Sequence, residues 1–247
     1  MLNEHYRRLI QDKKKTKLAS CGYVDRFDPF KLNKNPRVRQ LYENIFGSHL
    51  KDISCQRLLD VGCGTGIYFD VLARYSEFIE AIDLSGEMIQ VAQEYCQQNG
   101  LTNIRSGVGS VESLEFDDES FDVVIELDVI HHVQDLGTTL AEIYRVLKPG
   151  GHFLVFEPNI CNPLMFFAHA LPIEERLALG RNRPTKLISL LEERFTTINW
   201  TGICELITHT HGVKRLLLDA YLKLWSLIGL ESCYPRQVWL GIKPASQ

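Results

Sequence analysis

The chain has 247 residues, of which 45% are apolar and 23% charged, an ordinary composition for a soluble globular protein. A formal net charge of −4 does not favour binding to nucleic acid through overall charge. The seven cysteines form no C-x-x-C pair, which favours a reducing compartment, and we expect the cytoplasm. No uninterrupted apolar run approaches the roughly 18 residues of a membrane span. A chain of this length most simply forms one α/β domain with additions.

The first fifty residues are predicted to form a helical extension that precedes the main domain. Residues 1–17 are basic but lack the apolar core of a secretion signal, so we expect a charged helix or tail. The lysines at 13–15 are typical of a solvated face, with contact to nucleic acid or anionic lipid as the alternative. Residues 22–36 are rich in aromatic and turn-forming residues, and 37–50 have apolar residues at helical spacing.

The most informative motif is an apolar strand that runs into alternating glycines at 58–66. Gly62, Gly64 and Gly66 allow a tight turn at the end of a strand, where α/β sheets bind nucleotides. A dinucleotide fingerprint needs a small residue at position 67, which is Ile67, and a P-loop needs Gly-Lys-Ser/Thr. The motif therefore favours a nucleoside cofactor without phosphates over a nicotinamide dinucleotide.

The next predicted strand ends in a carboxylate. Residues 78–83 are mostly apolar and finish at Asp83, where an acidic side chain can accept both ribose hydroxyls of a nucleoside. The alternative is that Asp83 caps the helix that begins near Ser85. The sequence therefore predicts a ribose-binding acid beside the glycine turn.

The core alternates strands with helices, which predicts a mainly parallel sheet. Strands are predicted at 57–61, 78–83, 103–106, 121–126, 152–157, 195–200 and 237–243. Helices are predicted at 67–75, 86–98, 136–147 and 184–193. The run Lys-Pro-Gly-Gly at 148–151 is expected to end a helix and turn into the fifth strand.

Four segments in this order resemble motifs of class I S-adenosylmethionine-dependent methyltransferases of the small-molecule branch: 58–66, 81–88, 121–133 and 147–158. The resemblance extends over about 56–158. It implies one Rossmann-like α/β domain at 51–247, with a seven-stranded, mainly parallel sheet, an antiparallel last strand and helices on both faces. It also implies a helical insertion at about 202–235, between the last two strands.

The resemblance implies S-adenosyl-L-methionine as cofactor and methyl transfer by in-line displacement. The positions that would bind the cofactor are Asp60, Gly62, Gly64, Gly66, Asp83, Leu84, Met88, Ser110, Val111, Glu126 and Leu127. This branch commonly has an Asp, which binds the adenine amino group, where this chain has Ser110. Glu126 stands where small residues are usual, so it would either bind the cofactor ammonium or crowd the site.

The segment before the first motif often forms a lid in the resembled family, which would make residues 1–50 a lid here. Tyr23, Phe27 and Phe30 would then wall the reactive methyl group; alternatively, they pack the added helix on the sheet.

His131 and His132 follow the fourth strand, and a histidine titrates in the range that suits a general base.

Of the two histidines, His132 matches the one most often turned toward substrate in the resembled branch. The alternative is that both histidines are structural. Asp128 is the other polar group at this rim of the sheet. His209 and His211, near Cys204, do not have the spacing of a metal site, and no metal is predicted.

Residues 212–230 are predicted to form an unusually apolar helix. Arg215, Asp219, Lys223 and Ser226 form a narrow polar stripe, and the remaining surface is more apolar than a lone surface helix leaves in water. This surface is expected to be buried against the domain or a second copy, or to lie on a membrane or roof a greasy pocket with the apolar segment 162–172.

The sequence therefore predicts a methyltransferase for a small-molecule or lipid-like acceptor. Two other functions stay open: a non-catalytic methyltransferase-like subunit and an NAD-dependent oxidoreductase. Ile67 argues against the second of these.

Overall fold

A computed structural model describes residues 28–32, 34–171, 176, 179–180, 183–206 and 212–245. Tyr23, Phe27, His209 and His211 lie outside the described residues, so the predictions made for them stay predictions. Within the described ranges, no helix is long and apolar enough to cross a membrane.

Seven strands form one sheet, as predicted. They are β1 (Arg57–Val61), β2 (Phe78–Asp83), β3 (Ile104–Val108), β4 (Phe121–Leu127), β5 (Leu147–Pro158), β6 (Thr196–Ile203) and β7 (Arg236–Ile242). Their spatial order is β3-β2-β1-β4-β5-β7-β6. The pairs from β3 to β5 are parallel, and β7 runs antiparallel to both β5 and β6. The prediction of an antiparallel last strand is confirmed.

Helices occupy the connections. They are α1 (Pro29–Leu32), α2 (Pro36–His49), α3 (Phe69–Leu72), α4 (Gly86–Asn99), α5 (Leu136–Val146), α6 (Pro163–Ala170), α7 (Pro184–Glu192) and α8 (Gly212–Ile228), with short 3₁₀ turns at Ile130–His132 and Glu231–Cys233. Helix α8 lies in the connection between β6 and β7, where the helical insertion was expected.

One local prediction was wrong, and the structure shifts the bounds of another. The predicted helix at 67–75 is reduced to the four residues of α3, because the N–H groups of Val71, Arg74 and Tyr75 donate to the third residue before them and tighten the chain. The predicted turn at 148–151 belongs to β5, because a register shift between β4 and β5 absorbs it and the Gly150 N–H donates to the Lys243 carbonyl.

Alternating residues of each strand separate the core into two layers. Leu58, Val123 and Leu154 face the layer that contains α2 and α4. Leu59 and Val124 face the opposite layer, which contains α5 and α7. Because both faces of the sheet are covered, its central strands are continuously apolar.

Helix α2 is part of the core. It begins at Asn35, whose side chain accepts the Arg37 N–H. Ile45 and Phe46 of α2 are completely buried. Phe30 of α1 packs edge-on against Tyr95 of α4, with ring centroids 5.1 Å apart. Phe30 and helix α2 therefore pack on the domain, and Phe30 follows the packing alternative.

Candidate active site

The glycine loop joins β1 to α3 in a conformation that requires glycine. Gly62, Gly64 and Gly66 have positive φ angles of 75°, 57° and 72°, which other residues rarely adopt. A Cβ on Gly62 would lie 2.3 Å from Cγ2 of Val129. The Gly62 N–H donates to the Ile82 carbonyl at 2.7 Å. The loop is therefore fixed where β1, β2 and β4 end, which is the carboxyl edge at which open α/β sheets bind ligands.

Asp83 connects this loop to α4. Its Oδ2 accepts the Gly64 N–H at 2.9 Å, and its Oδ1 accepts the Ser85 N–H at 2.8 Å. Burial raises the pKa of the Asp83 carboxyl, while these two N–H groups oppose the rise. Ser85 is the N-cap of α4, because its Oγ accepts the Met88 N–H. The capping role considered for Asp83 therefore belongs to Ser85, and Asp83 holds the loop in place.

A cleft of about 810 Å³ opens at this edge. Of the predicted site residues, Gly62, Asp83, Leu84, Ser110, Val111 and His132 line it. Its lining also includes the carboxylates of Glu87, Glu112 and Asp128 and, among the residues that the structure describes, no lysine or arginine. A cleft with this lining suits a cationic ligand and does not suit one that carries phosphates.

The rim of the cleft is apolar where β2 and β3 end. Leu84 and Val108 are 53% and 66% exposed, and both belong to the lining. Next to them, the Ser110 hydroxyl accepts the Glu112 N–H at 3.2 Å. The Ser110 O–H remains a donor. This part of the cleft can therefore hold a flat, apolar ring with a polar group at its edge.

Asp60 is completely buried and does not line the cleft. Its Oδ1 accepts the Tyr68 hydroxyl at 3.1 Å, whereas its Oδ2 makes no hydrogen bond within the described part of the chain. Burial raises the pKa of Asp60 well above its ordinary value. Five other predicted cofactor residues are also absent from the lining: Gly64, Gly66, Met88, Glu126 and Leu127.

Glu126 lies in the core, beneath the 3₁₀ turn that follows β4. Its Oε2 accepts the N–H groups of Val129 and Ile130 at 3.0 and 3.2 Å. Glu157, at the end of β5, accepts the Ile130 N–H at 2.8 Å and lies 2.6 Å from Nδ1 of His131. The two glutamates and His131 are all buried. This network holds the turn that carries His131 and His132.

Burial and the neighbouring carboxyl group of Glu157 raise the pKa of Glu126 well above its ordinary value. Of these two buried carboxyl groups, Glu126 is the one whose pKa is raised, so its environment favours the neutral form. It does not belong to the cleft lining, where the sequence had suggested contact with a cofactor ammonium.

The two histidines occupy different positions. His132 belongs to the cleft lining and is partly buried, whereas His131 is 4% exposed. Their ring centroids are 3.9 Å apart. Through this contact, the Glu157–His131 pair supports the ring of His132 from the core side.

Asp128 connects the turn to the far side of the sheet. It has a φ of 62°, and its carboxylate forms an ion pair with Arg236 of β7. Asp128, His131 and Glu157 each place a ligand atom within 4.8 Å of the others. The guanidinium of Arg236 supplies positive charge at this cluster and would repel a cation, so the cluster does not support a metal site.

Sequence reasoning missed three residues of this region: Val129, Glu157 and Arg236. Glu157 left a signal, because it ends a strand beside β4 and the carboxyl ends of parallel neighbours meet at one edge. The contact of Val129 with Gly62 depends on the left-handed conformation of Asp128, which the sequence does not reveal. Arg236 reaches Asp128 across 108 residues of chain.

Comparisons with known proteins agree with this geometry. Residues 59–155 match the family described as a methyltransferase domain. The uncharacterized methyltransferase YcgJ of Bacillus subtilis (strain 168) is 34% identical over 114 residues, which cover 45% of this chain and 45% of YcgJ. A ubiquinone biosynthesis O-methyltransferase of Paracidovorax citrulli (strain AAC00-1) is 37% identical over 103 residues, which cover 41% of this chain and 43% of that protein. The chain spans less than half the length of these two relatives.

Solved structures share the fold. The crystal structure of YcgJ has a TM-score of 0.57 at 20% identity, covering 84% of this chain and 100% of that one. Phosphoethanolamine N-methyltransferase 2 of Haemonchus contortus, in complex with S-adenosyl-L-methionine, has a TM-score of 0.59 at 19% identity, covering 83% and 52%. The cyclase SpnF has a TM-score of 0.60 at 21% identity, covering 85% and 82%.

The strand order, the glycine loop and the matched segment point to one class of protein. Residues 59–155 of this chain match a methyltransferase domain, within a fold that solved methyltransferase structures share.

Proposed function

We propose that the protein transfers a methyl group from S-adenosyl-L-methionine to a small-molecule or lipid-like acceptor. The observation that carries the proposal is the cleft, which offers carboxylates and, among the described residues of its lining, no basic side chain. S-adenosyl-L-methionine has a sulfonium, an ammonium and no phosphate, so it fits such a cleft. An NAD pyrophosphate would meet carboxylates instead of cations.

The chain offers a partner for each part of this cofactor. Both Asp83 oxygens already accept one N–H group, and each retains a second lone pair for a ribose hydroxyl. Leu84 and Val108 would flank the adenine, with Ser110 at its edge. When bound, the cofactor supplies an electrophilic methyl group, so the protein's main task is to align the acceptor.

His132 is proposed as the general base for a hydroxyl acceptor. It lines the cleft, and its ring packs on His131, which is tied to the buried carboxylate of Glu157. A base held in this way takes the proton of the acceptor as its new bond forms. The relatives named as ubiquinone biosynthesis O-methyltransferases support an oxygen acceptor, the case in which a base is most useful.

The proposal is tested by transfer of radiolabel from methyl-labelled S-adenosyl-L-methionine to a panel of phenols, carboxylic acids and hydroxylated lipids. We expect label in at least one product, and much less with His132→Ala. If the protein binds S-adenosylhomocysteine but labels no acceptor, the result would contradict catalysis and favour a non-catalytic subunit. SpnF shares this fold and is named as a cyclase. Because the fold alone does not establish methyl transfer, cofactor binding and catalysis have to be measured separately.

A further inference from the structure

The exposed large apolar side chains of this protein are concentrated on two helices and the residues that follow them. At the cleft rim are Leu84 and Val108. The others that the structure describes are Leu164, Phe166, Phe167, Leu171, Val213, Leu216, Leu217, Leu224, Leu227, Ile228 and Leu230. They belong to α6, to α8 and to the residues just after each helix. Of the alternatives that the sequence left for α8, burial against the domain does not hold for most of its apolar residues, and the second copy and the membrane surface stay predictions.

Helix α8 separates its apolar residues into two faces. Leu222 is buried and packs with Met165 and Leu206, so this face attaches the helix to the domain. The exposed residues Val213, Leu216, Leu217, Leu224, Leu227 and Ile228 recur at helical spacing. At about 100° per residue they occupy an arc of roughly 120° on the opposite side. An apolar arc of this width, facing away from the domain, is typical of a helix that lies in a membrane interface.

Basic side chains border this arc. Lys214 and Lys223 are exposed, and the same helical projection places them on opposite flanks of the arc. Arg215 and Asp219 form an ion pair on the attached side, and Asp219 also pairs with Arg37 of α2. Helix α8 thus carries three basic side chains against one acidic side chain, in a protein with a net charge of −4.

The apolar surface lies at the same edge of the sheet as the cleft. Helix α6 follows the carboxyl end of β5, and α8 follows the carboxyl end of β6. Both strands run in the direction of β1, because each is antiparallel to β7. The Tyr221 hydroxyl of α8 donates to Asn162 Oδ1 at 2.8 Å, and Asn162 caps α6. The two helices are therefore joined at the edge where the glycine loop opens.

We propose that α6 and α8 dock the protein on a membrane surface that contains anionic lipid, with the cleft turned toward that surface. An anionic leaflet accepts the apolar arc and neutralises Lys214 and Lys223. A two-fold dimer through α8 would bring two basic helices together, because such an interface uses the same patch twice. The docking surface deepens the proposed function by favouring a lipid acceptor, but the docking itself does not depend on methyl transfer.

The experiment is vesicle flotation of the full chain without cofactor. Vesicles contain either phosphatidylcholine alone or equal parts of phosphatidylcholine and phosphatidylglycerol. The test variant is Leu217→Glu with Leu224→Glu, on the exposed arc. The matched control is Ser226→Glu with Ser189→Glu, which adds the same charge at exposed positions outside the arc.

We expect the wild type and the control to float with anionic vesicles, and the test variant to lose more than about tenfold in partitioning. Removing the charge of Lys214 or of Lys223 should each lower partitioning into anionic vesicles about fivefold, and added salt should weaken vesicle binding. Binding of S-adenosylhomocysteine by each variant shows that it is folded, and it reports separately on the cofactor proposal.

Three results would overturn docking. One is a wild type that stays out of the anionic vesicle fraction, and another is a control that loses as much binding as the test variant. In the third, the wild type sediments as a dimer. The variant with Leu217→Glu and Leu224→Glu sediments as a monomer but floats with anionic vesicles as well as the wild type does. That result would assign the arc to a second copy.

Discussion

We call the cleft that we propose for the cofactor the cofactor side of this protein, and the exposed surface of α6 and α8 its acceptor side; the two are built differently. On the cofactor side, β1, β2 and β4 end in a cleft whose polar groups are held by backbone hydrogen bonds. On the acceptor side, α6 and α8 expose large apolar side chains. The matched family segment, 59–155, includes the first side and ends before α6. Under the proposed function, a fixed site for the cofactor is combined with a separate apolar surface that would bring the protein to a lipid acceptor.

The largest effect on cofactor binding and stability is expected at Gly62, where the neighbouring Val129 leaves no room for a side chain. Gly62→Val combines a positive φ with a clash against Val129 and should abolish cofactor binding and cost more than about 3 kcal/mol of stability. Gly100→Ala is the matched control, because Gly100 has a φ of 65° and no neighbour within 4 Å of a Cβ.

Calorimetry with S-adenosylhomocysteine and thermal unfolding measure both variants. Gly100→Ala should cost about 1 kcal/mol of stability and leave binding unchanged. Normal binding by Gly62→Val would show that the loop is not part of the cofactor site.

The next largest effect is expected at the junction of the two sides. His132→Ala should lower turnover by about 100-fold, the usual contribution of a general base, with unchanged affinity for S-adenosylhomocysteine. His152→Gln, in β5, is a control for loss of a histidine outside the cleft lining. The measurement is the rate of label transfer at saturating cofactor. Equal rates in the wild type and in His132→Ala would remove the base from the mechanism.

Ser110 gives a smaller test within the cofactor side. An Asp there can accept the Glu112 N–H, as the Ser110 hydroxyl does, and keep a second oxygen for an adenine amino group. Ser110→Asp should therefore tighten S-adenosylhomocysteine by about tenfold, the value of a hydrogen bond to a charged group. Titration calorimetry against Ser110→Ala checks this. Weaker binding by Ser110→Asp would place the adenine elsewhere.

The smallest effect concerns the buried network that joins β4 to β5. Because the pKa of Glu126 is raised in the folded protein, its contribution to stability is present at acidic pH and is lost as pH rises toward that raised value. Glu126→Gln keeps acceptors for Val129 and Ile130 and does not ionise. Its stability should therefore fall less than that of the wild type between about pH 5 and pH 8, as measured by urea unfolding. Parallel curves would contradict a neutral Glu126.

The fold followed from the sequence because its signals are local. The carboxyl edge of a parallel sheet is identified by three local features: the glycine spacing, the apolar strands that alternate with helices, and the acid at Asp83. None of them requires knowledge of distant contacts. The network around Glu126, Glu157 and His131 was not predicted, because it depends on which side chains of neighbouring strands turn inward beneath one turn. The sequence left burial and exposure of α8 as alternatives, because an apolar helix has the same sequence whether its outer face is covered or not.

One titration tests the central claim that this cleft holds a phosphate-free adenosine cofactor through Asp83. S-adenosylhomocysteine and NAD are each titrated by calorimetry into the wild type and Asp83→Ala. The account predicts that the wild type binds S-adenosylhomocysteine and not NAD, and that Asp83→Ala loses at least about tenfold in affinity, as expected for a charged hydrogen-bond acceptor. Preference for NAD, or unchanged affinity in Asp83→Ala, would contradict it.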